Sequence, residues 1–354
     1  MGEREPLRIT NVNVFDSIAG RVDGPFDVTV GDGTITSVRP AGLGGPGTQI
    51  DGTGKTLIPG LIDAHWHAVF TTIPAVVAST GEIGYVFAQA VVSAGDTLMR
   101  GFTTVRDVGG PSFGIKQAID QGSIPGPRIY PSGAFISQTG GHGDFRMPYE
   151  IPRGIAGYLS YSEIIGAAVI ADGEDEVLRG AREMLRRGAS QLKLMAGGGV
   201  ASDYDPLDAS QYTEREIRAA VEAAENWGTY VTAHAYTPRA VRTAIAAGVR
   251  CIEHGQLLDE ETIALMAENG IWWCLQPFLD DEDANPMHDP RSRQKQLLVN
   301  AGTDTAYELA RKHSIKLAWG TDTLFDAQLN RRQGAQLAKL TRWFTPAETL
   351  RMAT

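Results

Sequence analysis

The sequence has few cysteines and no long apolar run, and each absence narrows the class of protein. Its two cysteines, Cys251 and Cys274, are too few for a disulfide framework, so we expect buried reduced thiols. No run of about 18 apolar residues occurs that would span a bilayer. Residues Met1 to Arg8 lack the apolar core of an export signal, and we therefore expect a cytoplasmic protein without membrane partners.

The sequence also lacks any block of basic residues, and its formal net charge is −10. Nucleic acids are therefore poor partners on electrostatic grounds. With 354 residues, of which 42% are hydrophobic, the chain is long enough to bury a large core. We expect a globular protein that acts on small molecules, and we expect it to be a homo-oligomer.

The residue pattern of the first 57 positions predicts short strands. Leu7 to Phe15 alternates apolar and polar residues, and Asp27 to Val30 and Thr34 to Val38 flank a Gly-Asp-Gly turn. We expect residues 1–57 to be part of a small β-sheet domain. The Gly- and Pro-rich stretch Gly42 to Gly54 precedes a change of pattern.

From residue 58 onward, apolar strand candidates alternate with amphipathic helices, which predicts an α/β fold with a parallel sheet. The eight candidates are 61–66, 103–107, 128–132, 191–196, 229–233, 250–253, 271–275 and 316–320. A capping box at Thr213 and Glu216 opens one of the helices, which closes at Gly228. Eight strands favour a (β/α)8 TIM barrel over residues 58–354, with its site at the C-terminal strand ends. A doubly wound sheet is the alternative, but no G-x-G-x-x-G follows the first strand.

The end of the first barrel strand carries His65 and His67. Alternate residues of a strand point the same way, so both imidazoles face one side. Neutral imidazole suits a borderline ion such as zinc. The pair alone is equally consistent with solvated or packed histidines.

Other ends of the predicted strands carry further ligand-type side chains. Four of the seven histidines lie at these ends. A metal site requires its ligands to converge in this way, whereas histidines that are merely hydrogen-bonded in the core would not need to do so. The residues in strand order are His65, His67, Lys193, His234, His254 and Asp322. We therefore predict a metal site at the barrel mouth.

With these residues the chain resembles the amidohydrolase superfamily from Leu7 to its end. The matching segments are Ile58 to His67, Thr103 to Asp107, Leu192-Lys193, Ala233 to Ala235, Glu253 to Gly255 and Gly320 to Asp322. The most similar subgroup contains binuclear metal-dependent prolidase-like dipeptidases and ochratoxinase-like amidases, and is related to imidazolonepropionases. Such proteins continue beyond the eighth strand into further β structure. The resemblance implies that residues 1–57 are the N-terminal part of a small β-sandwich domain. Since this chain ends in the helix begun at Thr345, we expect the C-terminal part of that domain to be missing.

The resemblance implies two divalent metal ions, with zinc expected and manganese or cobalt as alternatives. It places His65, His67 and Asp322 on one ion and His234 and His254 on the other. Lys193 would bridge them as a CO2-derived carbamate, because nearby positive charge favours the neutral amine that reacts with carbon dioxide. Taken without the surrounding ligand residues, Lys193 would be interpreted as a lysine that is ion-paired or that extends its ammonium group to solvent. Asp322 would be the general acid and base for a metal-bridging hydroxide.

Two further residues are candidate catalytic and substrate-binding groups. His142 lies in a long insertion, Gly133 to Asp172, and resembles a histidine that binds the substrate in the dipeptidase-like subgroup. Tyr236, two residues after His234, has a hydroxyl that can stabilise developing oxyanion charge. A surface histidine and a loop-packing tyrosine are the alternatives.

The expected function is metal-dependent hydrolysis of an amide bond in a small molecule such as a dipeptide or an N-acyl amino acid. Cyclic amides, ureas, carbamates and lactones are alternative substrates, since the same hydroxide chemistry would serve them. A metal-binding protein without turnover is the alternative from another class.

Overall fold

The computed structural model describes residues 5–354, which divide into two compact units. The first unit contains the described residues through Leu61, with Phe344–Met352 and Thr354. Its strands are β1 Leu7–Asp16, β2 Arg21–Gly31, β3 Thr34–Pro40, β4 Thr48–Asp51 and β5 Thr56–Leu57. They form one sheet in the order β3-β2-β1-β4, with β5 also paired to β1. The turn between β2 and β3 places Asp32 and Gly33 at positive φ, as a tight hairpin requires. The sandwich remains a prediction.

The second unit, Ile62–Trp343 with Ala353, alternates strands and helices. Its strands are β6 Leu61–Trp66, β7 Phe102–Asp107, β8 Arg128–Pro131, β9 Phe135–Ser137, β10 Ala168–Ile170, β11 Leu192–Met195, β12 Val231–Ala235, β13 Cys251–His254, β14 Trp272–Leu275 and β15 Lys316–Trp319. Its helices are α1 Ala75–Thr80, α2 Ile83–Met99, α3 Phe113–Asp120, α4 Arg153–Ala156, α5 Tyr161–Ile164, α6 Glu174–Arg186, α7 Glu214–Trp227, α8 Pro238–Ala246, α9 Glu260–Glu268, α10 Pro290–Lys312, α11 Ala327–Arg331 and α12 Gln333–Ala338. A 3-10 helix, Lys339–Arg342, follows, and the first unit has a helix at Pro346–Met352.

The strands of the second unit lie in two sheets. One has the order β10-β9-β11-β12-β13-β14-β15, with parallel pairing throughout. The other has the order β6-β7-β8, in which β7 and β8 are parallel. Two backbone hydrogen bonds outside the strand pairings connect the two sheets. Asp322 N donates to His65 O (2.9 Å), and Ser190 N donates to Pro131 O (2.7 Å). The predicted α/β fold with a parallel sheet is confirmed.

The insertion between β8 and β11 differs from its prediction as a loop. It contributes β9 and β10, which pair with each other, and β9 also pairs with β11 at Leu194. Each strand has only three residues, which is shorter than the apolar run that signals a strand in sequence. The sequence pattern therefore could not separate them from the surrounding loop.

The helices pack their apolar faces toward the sheets. Helix α7 begins with the predicted capping box, Thr213 with Glu216, and ends at Gly228 in a left-handed conformation. It buries Ile217 and Val221 among other residues. Both cysteines are buried free thiols, as expected. Within residues 5–354, the structure has no helix long and apolar enough to cross a membrane.

Candidate metal centre

The structure brings the predicted ligand residues together at the C-terminal ends of the parallel strands. His65, Lys193, His234 and His254 lie in strands β6, β11, β12 and β13. His67 follows β6 and Asp322 follows β15. The four histidines and Lys193 are buried, whereas the Asp322 side chain retains 15% of its exposure. His65, His234 and His254 lie in the last two residues of their strands, Lys193 is the second residue of β11, and the strands belong to both sheets of this unit.

Asp322 is the meeting point of this cluster. Its Oδ1 lies 3.2 Å from His65 Nε2 and 3.3 Å from His67 Nε2, and its Oδ2 lies 3.9 Å from His254 Nδ1. His65, His254 and Asp322 also form a group whose ligand atoms all lie within 4.8 Å of one another. Asp322 and His254 both adopt positive φ, 50° and 73°, which non-glycine residues rarely do.

Each of the four histidines has one ring nitrogen anchored by a hydrogen-bond acceptor. The pairs are His65 Nδ1 with Glu253 Oε2 (2.7 Å), His67 Nδ1 with Gly109 O (2.9 Å), His254 Nδ1 with Gln276 Oε1 (2.8 Å) and His234 Nε2 with Gly198 O (3.2 Å). An acceptor requires the proton on the ring nitrogen that it contacts. The opposite nitrogen of a neutral ring then carries a free lone pair, as a metal ligand must.

These anchors make the contacts at Asp322 unfavourable unless positive charge lies between the atoms. The unprotonated Nε2 atoms of neutral His65 and His67 would face a carboxylate oxygen with no proton to share. Two ligands about 2.1 Å from a tetrahedral zinc ion lie about 3.4 Å apart. The observed separations of 3.2 and 3.3 Å are close to that value. The donor set therefore fits a divalent cation.

The pKa shifts of His65 and Asp322 point to the same need for positive charge between these two side chains. Burial alone would lower the pKa of His65, but Asp322 and Glu253 outweigh it and raise that pKa. Burial acts in the opposite direction on Asp322, and the histidines hold its pKa well below the usual range. A proton on His65 thus occupies the electrostatic position that a cation would take.

Lys193 provides a second test of fit. The side chain is 2% exposed, and its Nζ has no hydrogen-bond partner among the residues that the structure describes. Burial lowers its pKa, although Glu253 and Asp322 act to raise it. An unpartnered buried amine is costly. A carbamate formed on Lys193 would replace it with an anion able to bind cations.

His142 and Tyr236 border the same cluster from the side of His234. The His142 ring stacks on His234 with centroids 4.2 Å apart, and its Nδ1 lies 2.7 Å from Ser202 Oγ. Burial lowers the pKa of His142 to about 4, so its ring is neutral at pH 7. The Tyr236 ring lies 5.0 Å from that of His254. Both predicted substrate contacts therefore lie at the candidate centre.

Sequence reasoning missed the residues that hold the ligands. Glu253 contacts His65, Gln276 contacts His254, and Asp63 accepts hydrogen bonds from His65 N (3.1 Å) and Thr321 Oγ1 (2.8 Å). A signal was present for Glu253 and Asp63, because a carboxylate inside an apolar strand must be paired when it is buried. Gln276 has no comparable signal, since it follows its strand like any loop residue.

Comparison with known proteins gives one family and several similar structures. The model of the amidohydrolase family matches residues 56–354. An ochratoxinase of Aspergillus niger is 31% identical over 352 residues, which cover 91% of this chain and 67% of that protein. A prolidase complexed with N-methylphosphonate-L-proline has a TM-score of 0.90 and 34% identity, covering 99% of this chain and 86% of the other. A Xaa-Pro dipeptidase with bound methionine has a TM-score of 0.86 and 26% identity, covering 99% and 87%.

Proposed function

Because the chain belongs to the amidohydrolase family, we propose that it is a metal-dependent hydrolase of an amide bond in a dipeptide, an N-acyl amino acid or a similar small molecule. Its action on carbon–nitrogen bonds follows from the family and from its prolidase and ochratoxinase relatives. The observation that supports metal dependence is the convergence of His65 and His67 on Asp322, with both outer nitrogens already anchored.

Six side chains would hold two divalent ions, with zinc the first choice. They are His65, His67 and Asp322 for one ion, His234 and His254 for the other, and the carbamate of Lys193 between them. When bound, such ions supply a water molecule of near-neutral pKa and polarise the substrate carbonyl. The remaining steps depend on the protein's own side chains.

Asp322 is suited to move the proton. Its lowered pKa keeps the carboxylate ionised, and its side chain is the partly exposed member of the cluster. It would accept a proton from the attacking water and deliver that proton to the leaving nitrogen. Tyr236 would act as a donor, because burial raises the pKa of its phenol and keeps it protonated. Its hydroxyl would stabilise developing charge on the carbonyl oxygen, and neutral His142 would contact the substrate beside it.

The two parallel sheets would belong to one closed (β/α)8 barrel. This proposal is supported by two hydrogen bonds: Asp322 N, shortly after β15, donates to His65 O in β6, and Ser190 N, shortly before β11, donates to Pro131 O in β8. Strands β6, β7, β8 and β11 to β15 overlap the eight strand candidates of the sequence. In a closed barrel, β6 and β15 would be neighbouring strands, which agrees with the hydrogen bond between His65 and Asp322 near their ends.

The test is amine release by zinc- or manganese-loaded protein across a library of dipeptides and N-acyl amino acids. We expect metal-dependent turnover that Asp322→Asn abolishes. Asp326→Asn is the matched control, because this aspartate caps the next helix on the same loop and should leave turnover intact. Silence across the library from folded, metal-loaded protein would refute the dipeptide and N-acyl amino acid assignment, and would direct the search to cyclic amides, ureas, carbamates and lactones.

A further inference from the structure

Glu253 is a fully buried carboxylate that faces the outer side of His65. It lies in β13 directly before His254 and has no exposed surface. Its Oε2 accepts from His65 Nδ1 at 2.7 Å, and its Oε1 accepts from Arg106 Nη2 at 2.5 Å. Thr232 Oγ1 donates to Oε1 as well. Both oxygens therefore have defined partners.

Arg106 explains how a charge is tolerated in this position. Burying an unpaired carboxylate is very costly, whereas an arginine partner compensates for the charge. Arg106 is itself fixed, because its Nε donates to Ala64 O at 2.6 Å, one residue before His65 in the chain. The guanidinium thus connects β13 to β6 through Glu253. The carboxylate is held ionised and in a single orientation toward the imidazole.

An ionised carboxylate only accepts hydrogen bonds, so the proton between it and His65 belongs to Nδ1. The second neighbour of Nδ1, Gln276 Nε2, is farther away at 3.3 Å, and Gln276 uses its oxygen for His254. With Nδ1 protonated, the lone pair of neutral His65 is on Nε2, which points toward Asp322.

We propose that Glu253, held by Arg106, is a positioning residue that fixes His65 as its Nδ1–H tautomer and aims Nε2 at the metal centre. The metal role rests on the proposed function, but the tautomer does not. Partners of this kind behind a ligating histidine typically change metal affinity or activity by about 10- to 100-fold when they are removed.

The experiment is zinc titration of the full chain by chelator competition, together with histidine-selective 15N NMR of the metal-free full chain at alkaline pH, where the ring is neutral and zinc does not dictate which nitrogen carries the proton. In wild type we expect His65 to carry its proton on Nδ1. In Glu253→Gln the new amide can donate to Nδ1, so we expect the proton to move to Nε2 and the zinc dissociation constant to rise about 10- to 100-fold. Thr232→Val is the matched control, because it removes a different hydrogen bond to the same carboxylate. It should leave the tautomer unchanged and zinc affinity within about twofold.

Two results would overturn the proposal: an Nε2–H tautomer of His65 in wild type, or zinc affinity of Glu253→Gln within about twofold of wild type. If that variant fails to fold, the wild-type tautomer still decides. Neither measurement uses a substrate. A protein with the expected tautomer and zinc affinity but no amide hydrolysis would therefore contradict the proposed function and leave the role of Glu253 standing.

Discussion

Replacing Gly199 with alanine should displace His142 while leaving all six candidate metal ligands in the sequence. A Cβ at this position would lie 2.0 Å from His142 Nδ1 and Cε1. The backbone cannot easily retreat, since Gly199 N donates to Asp205 (2.8 Å) and Gly199 O accepts from Lys295 (3.1 Å). Because non-bonded carbon contacts need about 3.5 Å, the ring must move by about 1.5 Å.

That movement would break the stacking on His234 and the 2.7 Å contact with Ser202. Misplacement of a substrate contact by about 1 Å can cost about 10²-fold in rate, or about 2.7 kcal/mol. We therefore expect kcat/KM of Gly199→Ala to fall about 10²-fold, as in His142→Ala, with metal content unchanged. The assay is a double-mutant cycle of these two changes. If the double mutant multiplies the two losses, or if Gly199→Ala retains activity within about twofold of wild type, the reasoning fails.

Two further predictions concern charge. Lys193→Ala removes the expected carbamate, so metal analysis and turnover should show loss of the second ion and a fall in activity of more than about 10-fold; full activity with both ions would contradict the bridge. Burial alone would raise the pKa of Asp144, but hydrogen bonds from Arg146 (2.5 and 2.8 Å) and Gly140 N (2.8 Å) outweigh burial and lower that pKa. The Asp144 carboxylate therefore stabilises the folded state fully when the pH is above its pKa in the unfolded chain. This stabilisation is lost as the pH falls through its lower pKa in the folded protein. Thermal unfolding should show Asp144→Asn less stable by about 2 kcal/mol at pH 7 and equal to wild type in strong acid, whereas a difference that is independent of pH would contradict this assignment.

The strands that carry the ligands were predictable because each is an apolar run bounded by glycine, proline or a helix cap. The strand from 229 to 233 was placed two residues early, since Thr229 and Tyr230 have the same strand propensity as the residues that pair. The prediction failed for β9 and β10, whose three-residue strands depend on pairing with β11. Such pairing is a tertiary interaction that local propensity does not contain.

The candidate ligands were predictable for a different reason: they stand at strand ends, and parallel strands bring their ends to one edge. Their anchors were not predictable. His65 and Glu253 are 188 positions apart in the chain, and Gly109 acts through its backbone carbonyl, a group that residue type does not reveal. Spacing and residue type therefore give the residues that bind, whereas the protonation of each ring depends on contacts that only the folded chain creates.

The strained backbone at His254 and Asp322 is held by contacts within the protein. Positive φ at a non-glycine residue costs about 1–3 kcal/mol and persists only where surrounding contacts enforce it. Those contacts are present: Asp322 N donates to His65 O at 2.9 Å, and His254 O accepts from the Trp273 indole. Since the imidazoles are also anchored, little ordering entropy remains to be lost on binding. A divalent ion would therefore meet ligands already in position, and metal removal should leave the secondary structure intact while abolishing turnover.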